Sequence, residues 1–203
     1  MTAQKVATIA KKVVMKSAET KSFLGNSGTI APLDTIYNVQ NLIFPIAQGL
    51  SAENIIGEKL HILNMRIRLN MFTTNNSNNI TKYARVVCFA IKKPLTNTNT
   101  TITASEIFRV PLGANPTQHH VDLHKVDLLY DNVFTLVPQV AAQTVQRFVQ
   151  IPININKSVT FESDNSGYLK NKNYYLAVMG QDGSSISSPV TFTYTYSVNF
   201  KDE

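Results

Sequence analysis

The sequence predicts an all-β sandwich or barrel that is preceded by a short basic arm. In residues 190–200 apolar and polar side chains alternate without a break, which is typical of a strand with one buried face. Similar segments recur along the chain, and about seven or eight strands joined by polar loops favour a sandwich or barrel. Lysines are concentrated at the start of the chain. The apolar positions of the last strand are Val190, Phe192, Tyr194, Tyr196, Val198 and Phe200.

The composition indicates a subunit that buries much of its surface against neighbours. Hydrophobic residues make up 43% of the 203 residues, enough for a large core, whereas charged residues make up only 16%. The net charge is +6, and residues 1–21 hold five lysines against Glu19 alone. This asymmetry indicates a polyanionic partner, and the alternative is a solvated, disordered tail.

Residues 3–17 predict an amphipathic helix within this arm. Val6, Ile9, Ala10 and Val13 follow helical spacing and share one face. Such a helix is marginal alone in water, so its apolar face needs a partner. The lysines that we expect to face a nucleic acid are Lys5, Lys11, Lys12, Lys16 and Lys21.

A glycine-rich joint follows the arm. Gly25, Asn26, Gly28 and Pro32 predict a flexible connection, so we divide the chain into an arm and hinge over 1–33 and a β domain over 34–203. A first strand is expected over 34–45. The polar stretches 73–79, 95–105 and 113–120 are expected to be loops, with a helical turn at 105–108.

The next strand, over 62–71, carries two arginines on its polar face. Leu63, Met65, Ile67, Leu69 and Met71 are predicted to point inward, and Asn64, Arg66, Arg68 and Asn70 outward. The plain interpretation is that Arg66 and Arg68 are a pair of exposed strand residues. We favour a face that contacts nucleic acid, because phosphate contacts need placement and no motif.

The remaining strands are expected over 82–92, 126–136, 146–155, 174–179 and 190–200. The first of these is almost continuously apolar, which is typical of a buried strand. It contains Cys88, which is the single cysteine; it therefore has no disulfide partner within the chain, and we expect it to act as a small buried hydrophobe. This cysteine usage fits synthesis in a reducing compartment.

No pattern predicts an enzyme, a metal site or a cofactor. His119, His120, Asp122 and His124 lie close together. In a strand, His120, Asp122 and His124 would share one face, but no fourth ligand is evident on it, and surface histidines are the interpretation we adopt. Asp122, Asp127 and Asp131 lack a flanking catalytic pattern, and we interpret them as structural or solvated. No apolar run is long enough to span a membrane, and Lys11 and Lys12 divide the apolar residues that a signal peptide would need.

Several segments taken together resemble the capsid proteins of small circular single-stranded DNA viruses, the circovirus-like CRESS-DNA group. Gln48-Gly49 is followed by the run from Ile56 to Leu60 and then by the alternating strand; Ile55 stands where those proteins carry arginine. The segments 126–136 and 173–178 and the last strand complete the likeness, which covers about residues 36–202. Capsid proteins of RNA satellite viruses are similar at this level.

The resemblance implies a single eight-stranded jelly roll, sixty copies in a T=1 shell, and an inward arm that binds the genome. The genome would be single-stranded DNA, with RNA left open, and the protein would reside in the virion after synthesis in a host cell. The host receptor is unknown, and Lys11-Lys12 is too short to assign nuclear import. The arm departs from the family because it is short and has no arginine, so we expect an ordered helix that packs against symmetry mates.

Two other functional classes stay open at this point. A lectin-like jelly roll would bind glycans through an aromatic-lined pocket, and the absence of tryptophan argues against it. A hydrolase or cupin-type enzyme would need histidine and carboxylate ligands that point into the barrel. Both would be monomers or small oligomers, in contrast to a capsid subunit.

Overall fold

The computed structural model of the 203-residue chain is described over fifteen separate stretches. These are residues 4–6, 9–10, 13, 19–25, 28–30, 38–42, 59–73, 81–91, 102, 104–109, 116–139, 143–161, 169–170, 172–182 and 190–202. Predictions that fall on other residues, including most of the expected loops, lie outside the described part of the chain.

The described residues form two large antiparallel sheets. The first contains β1 (Lys21–Leu24), β2 (Gly28–Ile30), β4 (Lys59–Thr73), β9 (Gln146–Thr160) and β11 (Val190–Asp202), in the order β1-β11-β4-β9 with β2 also paired to β11. The second contains β3 (Asn38–Asn41), β5 (Lys82–Ile91), β8 (Val126–Leu136) and β10 (Tyr174–Asp182), in the order β3-β10-β5-β8. The all-β prediction is confirmed.

The chain passes repeatedly from one sheet to the other. After β4 in the first sheet it enters β5 and β8 in the second, returns to β9, and then crosses to β10 and back to β11. This alternation is consistent with a jelly roll, in which two facing sheets share one core. The long strands β4, β5, β8, β9, β10 and β11 all begin within a few residues of their predicted starts.

The main core lies between the two sheets. Strand β11 buries every second residue, as its alternation predicts, and β4 and β9 contribute Ile67 and Ile151 from the same sheet. The second sheet contributes Cys88 and Leu176 from the opposite side. Burial raises the pKa of the Cys88 thiol, so the cysteine is a buried hydrophobe as predicted.

The four-stranded sheet is also covered on its outer side. Helix α1 (Ala104–Ile107) and strands β6 (Phe108–Arg109) and β7 (His120–Val121) pack there, with a 3-10 turn at Pro116–Gln118. Val87, Phe89 and Met179 are buried beneath them. Burial on both faces explains why β5 is almost continuously apolar.

A bulge in β4 corrects the predicted facing of one residue. Asn64 pairs with Asn199 and Ile62 pairs with Phe200, so Leu63 between them has no partner in β11. The extra residue shifts the alternation, so Leu60 and Ile62 are buried at the start of the strand and Met65 is the next buried residue. The prediction that Leu63 points into the core is therefore wrong, and its side chain is only partly buried.

The predicted joint is partly strand. β1 and β2 both pair with β11, so the sheet begins at Lys21, before the predicted boundary at residue 34. Gly25 and Gly28 have the role of making room for aromatic rings: a Cβ on Gly25 would lie 2.1 Å from the ring of Tyr196. Of the predicted arm helix, residues 4–6, 9, 10 and 13 are described, and they are helical and exposed.

Candidate nucleic-acid interface

The outer face of the five-stranded sheet carries the predicted arginines. We use the name outer face for the outward side chains of β11, β4 and β9, which stand in rows across the sheet because the strands pair in register. Its described members are mostly Thr, Ser, Asn and Gln, and no acidic side chain is among them. They are Asn64, Arg66, Arg68, Asn70, Phe148, Gln150, Pro152, Asn154, Thr193, Thr195, Ser197 and Asn199.

Arg66 and Arg68 are exposed and lie two residues apart on the central strand β4. Arg66 stands between Ser197 and Pro152, and Arg68 between Thr195 and Gln150. No described acidic side chain forms an ion pair with either guanidinium. The prediction that the two arginines share an exposed face is confirmed, and their charges are available to an anionic partner.

A shallow groove of about 580 Å³ lies along this face. Arg68 and Asn70 line it from β4, Thr193 and Thr195 from β11, and Gln150 from β9. A smaller depression of about 130 Å³ adjoins it, is lined by both arginines, and reaches Leu24 on β1. The arginines therefore lie within continuous concave surfaces.

Phe148 lines the same groove and was not selected from the sequence. Its ring is 75% exposed, the largest exposure among the large hydrophobic side chains of the described residues. A signal was present, because Phe148 falls between Gln146 and Gln150 on the polar face of β9. An exposed aromatic ring beside an arginine can bind the face of a flat, polar ligand.

The arm lysines are described only in part. Lys5 is exposed, and Lys11, Lys12 and Lys16 lie outside the described residues. Lys21 belongs to β1, where its Nζ lies 2.6 Å from Asp202 Oδ2 and its side chain is largely buried. Its charge is therefore balanced within the fold, which reduces the net contribution of the arm.

Asp122 organises the segment that covers the four-stranded sheet. Its carboxylate accepts a hydrogen bond from Arg109 at 3.2 Å and one from the backbone N–H of His124 at 3.1 Å. The bond from Arg109 lowers the pKa of this carboxyl, and the nearby Lys125 adds to the effect. Within the described residues no three histidine, cysteine or acidic side chains form a group that could hold a metal ion.

The other two candidate carboxylates are also paired with cations. Asp127 bonds to Lys172, and Asp131 accepts two hydrogen bonds from Arg85. With Asp122 bound to Arg109, each of the three carboxylates stabilises a separate contact of the fold. The geometry matches the structural interpretation of these residues.

No helix in the described part of the chain has the length and hydropathy to cross a membrane. No family model matches the chain, and no curated protein matches it.

Solved structures do show similarity over most of the chain. The 60-mer BFDV capsid protein is 11% identical, with 92% of this chain and 95% of that chain covered and a TM-score of 0.37. Desmodium yellow mottle tymovirus gives 10% identity, coverage of 90% and 87%, and a TM-score of 0.34. Turnip yellow mosaic virus gives 10% identity, coverage of 89% and 93%, and a TM-score of 0.35. The structures to which this chain is similar are viral capsid proteins.

Proposed function

We propose that the chain is the capsid subunit of a small virus, a structural protein and not an enzyme. In this proposal it is an eight-stranded jelly roll with an N-terminal helical arm, and sixty copies form a T=1 shell around a single-stranded genome, DNA in the first instance. Counting β1 and β2 as one edge strand, and setting aside β6 and β7, leaves four strands in each sheet. The arm then ends at Lys21, where the sheet begins.

One observation carries the nucleic-acid part of the proposal. The basic arm enters the fold through β1, and β1 lies in the same sheet as the strand that bears Arg66 and Arg68. One group of positive charge, the two arginines, therefore lies on this sheet, and the other, the arm, is joined to the edge strand of the same sheet. Non-specific binding to phosphates needs such clustering of cations and no base-reading motif.

The charge supply also indicates how the shell assembles. With Lys21 paired to Asp202, sixty arms would supply on the order of 200 positive charges, each able to replace about one phosphate counterion. A genome of a thousand or more nucleotides would be only partly neutralised. We therefore propose that contacts between subunits drive assembly, so that empty shells form without the genome.

The test is to express the full chain alone and to measure its mass by light scattering, with electron microscopy of the same sample. Sixty subunits of 22.6 kDa predict a particle of about 1.4 MDa. A homogeneous monomer or small oligomer would contradict the capsid proposal and would favour the glycan-binding alternative. Amorphous aggregate without shells would contradict assembly through protein contacts alone.

A further inference from the structure

We propose that Phe148 and Arg68 form a subsite for one nucleotide of a single-stranded nucleic acid. The ring of Phe148 stacks on the base, and the guanidinium of Arg68 binds the adjoining phosphate. This inference rests on the proposed function, because it assigns a place and a chemistry to nucleic-acid binding. It adds a residue that the charge pattern of the sequence does not indicate.

The position of Phe148 on β9 requires an explanation. The inward residues of this strand, Ile151, Ile153 and Ile155, are buried in the core, whereas Phe148 points the other way and leaves its ring to solvent. Covering this ring would remove its apolar surface from water, which is favourable. Nucleobases stack on aromatic rings whatever their sequence, so a genome of any sequence can cover it.

Arg68 is the diagonal neighbour of Phe148 on the outer face. Arg68 pairs across the sheet with Gln150, and Phe148 is two residues from Gln150 on the same face. Such diagonal neighbours are about 7–8 Å apart at the backbone, within reach of a long side chain. The groove is lined by both side chains. Arg66, about 6.8 Å further along β4, is placed for a second phosphate.

A second copy of the chain is the competing occupant of this face, and the charges disfavour it. In a two-fold contact through the outer face, the same patch would meet itself. Arg66 and Arg68 would then approach the arginines of the other copy, while the described central part of the face offers no carboxylate to separate them. A polyanion has the complementary charge, so a nucleic acid is the occupant that we propose.

The experiment compares two ligands of equal charge on the full-length protein. One is a short oligothymidylate, and the other is an abasic oligomer of the same length. We expect the base-containing oligomer to bind more tightly by roughly 5- to 150-fold for each stacked base. In Phe148→Ala this ratio should fall to about one, and in Phe148→Tyr it should be retained. Arg68→Gln should weaken both oligomers equally and reduce the salt slope by about one.

Val137→Ala is the matched control, because Val137 is also an exposed apolar residue but follows β8 in the other sheet. If Phe148→Ala still binds and keeps the same ratio of affinities for the base-containing and abasic oligomers, this inference is overturned and the proposed function stands. Failure of the unaltered protein to bind either oligomer at low salt would overturn both. If Phe148→Ala instead abolishes assembly and leaves the ratio unchanged, the face contacts another subunit, and the inference is wrong.

Discussion

The guanidinium of Arg85 joins three separate parts of the chain. It is 5% exposed, donates to Asp131 Oδ1 at 2.9 Å and Oδ2 at 2.7 Å, and donates to the carbonyl of His119 at 2.6 Å. It also lies over the ring of Phe108, 5.4 Å from its centroid. These contacts fix β6 and the described residues around His119 to β5 and β8.

Replacing Asp131 by Asn should therefore destabilise the fold. The change removes the negative partner of a buried cation, and hydrogen bonds to charged groups contribute about 1.5–3 kcal/mol. We expect the free energy of unfolding, measured with urea, to fall by about 2 kcal/mol. Thr135→Ser, an exposed change on the same strand, should leave it nearly unaltered. Equal stability of the two variants would contradict the role given to Arg85.

Asp122 should make the fold sensitive to acid. Its pKa is lowered in the folded chain, chiefly by the hydrogen bond from Arg109, so it stabilises the fold at pH values above the unfolded pKa of about 3.9. That stabilisation is lost as the pH falls through the lower, folded pKa. The melting temperature of Asp122→Asn should be lower than that of the unaltered protein at pH 7. When both are measured down to pH 2, that of the variant should decline less steeply below pH 5. A decline as steep as that of the unaltered protein would contradict this assignment.

At the scale of single residues, alternation correctly placed Arg66 and Arg68 on the exposed face of β4, but it did not single out the aromatic ring that lines the same groove. Arg66 and Arg68 were predictable because alternation determines which residues of β4 point outward. Phe148 was not selected, because an apolar residue in a strand is ordinarily assigned to the core. The available signal was its place between Gln146 and Gln150 on the polar face of β9, and the structure shows this residue to be exposed.

At the scale of elements, alternation predicted the long strands and failed where the chain departs from regular geometry. The bulge at Leu63 depends on how three strands pair, which no single segment contains. The edge strands β1 and β2 fell within the predicted arm and hinge, because the glycines that follow β1 usually mark turns. Here they leave space for tyrosine rings that lie some 170 residues later.

Gly25→Ala tests this account of the edge strand. The new Cβ would lie 2.1 Å from the Tyr196 ring, closer than atoms can approach, while the Gly25 N–H donates to the Tyr196 carbonyl at 2.8 Å. We expect a loss of about 1–3 kcal/mol in urea unfolding. In a Tyr196→Leu background the same change should cost much less, because the ring is gone. Additive effects of the two changes would show that the ring is not the obstacle.

At the scale of the whole molecule, the two sheets have unlike surroundings. One is covered on both sides by the chain itself, whereas the outer face of the other is left polar, basic and grooved. The sequence could predict a sandwich and a basic arm, since alternation and composition are local. It could not predict that the arm joins the same sheet that bears Arg66 and Arg68, because that follows from the pairing of β1 with β11.

Removing the arm and removing the arginines should therefore have related effects on packaging. Deletion of residues 2–16 should leave shells that carry less nucleic acid, as measured by the ratio of absorbance at 260 and 280 nm, and Arg66→Gln with Arg68→Gln should lower the content further. Val137→Ala should leave it unchanged. Shells with unaltered nucleic-acid content in all variants would contradict a role for these cations.

The bulge in β4 also determines where the chain tolerates a change in length. Loss of one residue from a regular strand turns every later side chain to the opposite face. Leu63 is the exception, because it has no partner in β11. The buried residues before it, Leu60 and Ile62, have even numbers, whereas the buried residues after it, Met65 and Ile67, have odd numbers. Deleting it should yield a strand with unbroken alternation and all of these residues still inside. Among single-residue deletions within β4, the deletion of Leu63 is thus the one that we expect to give folded protein.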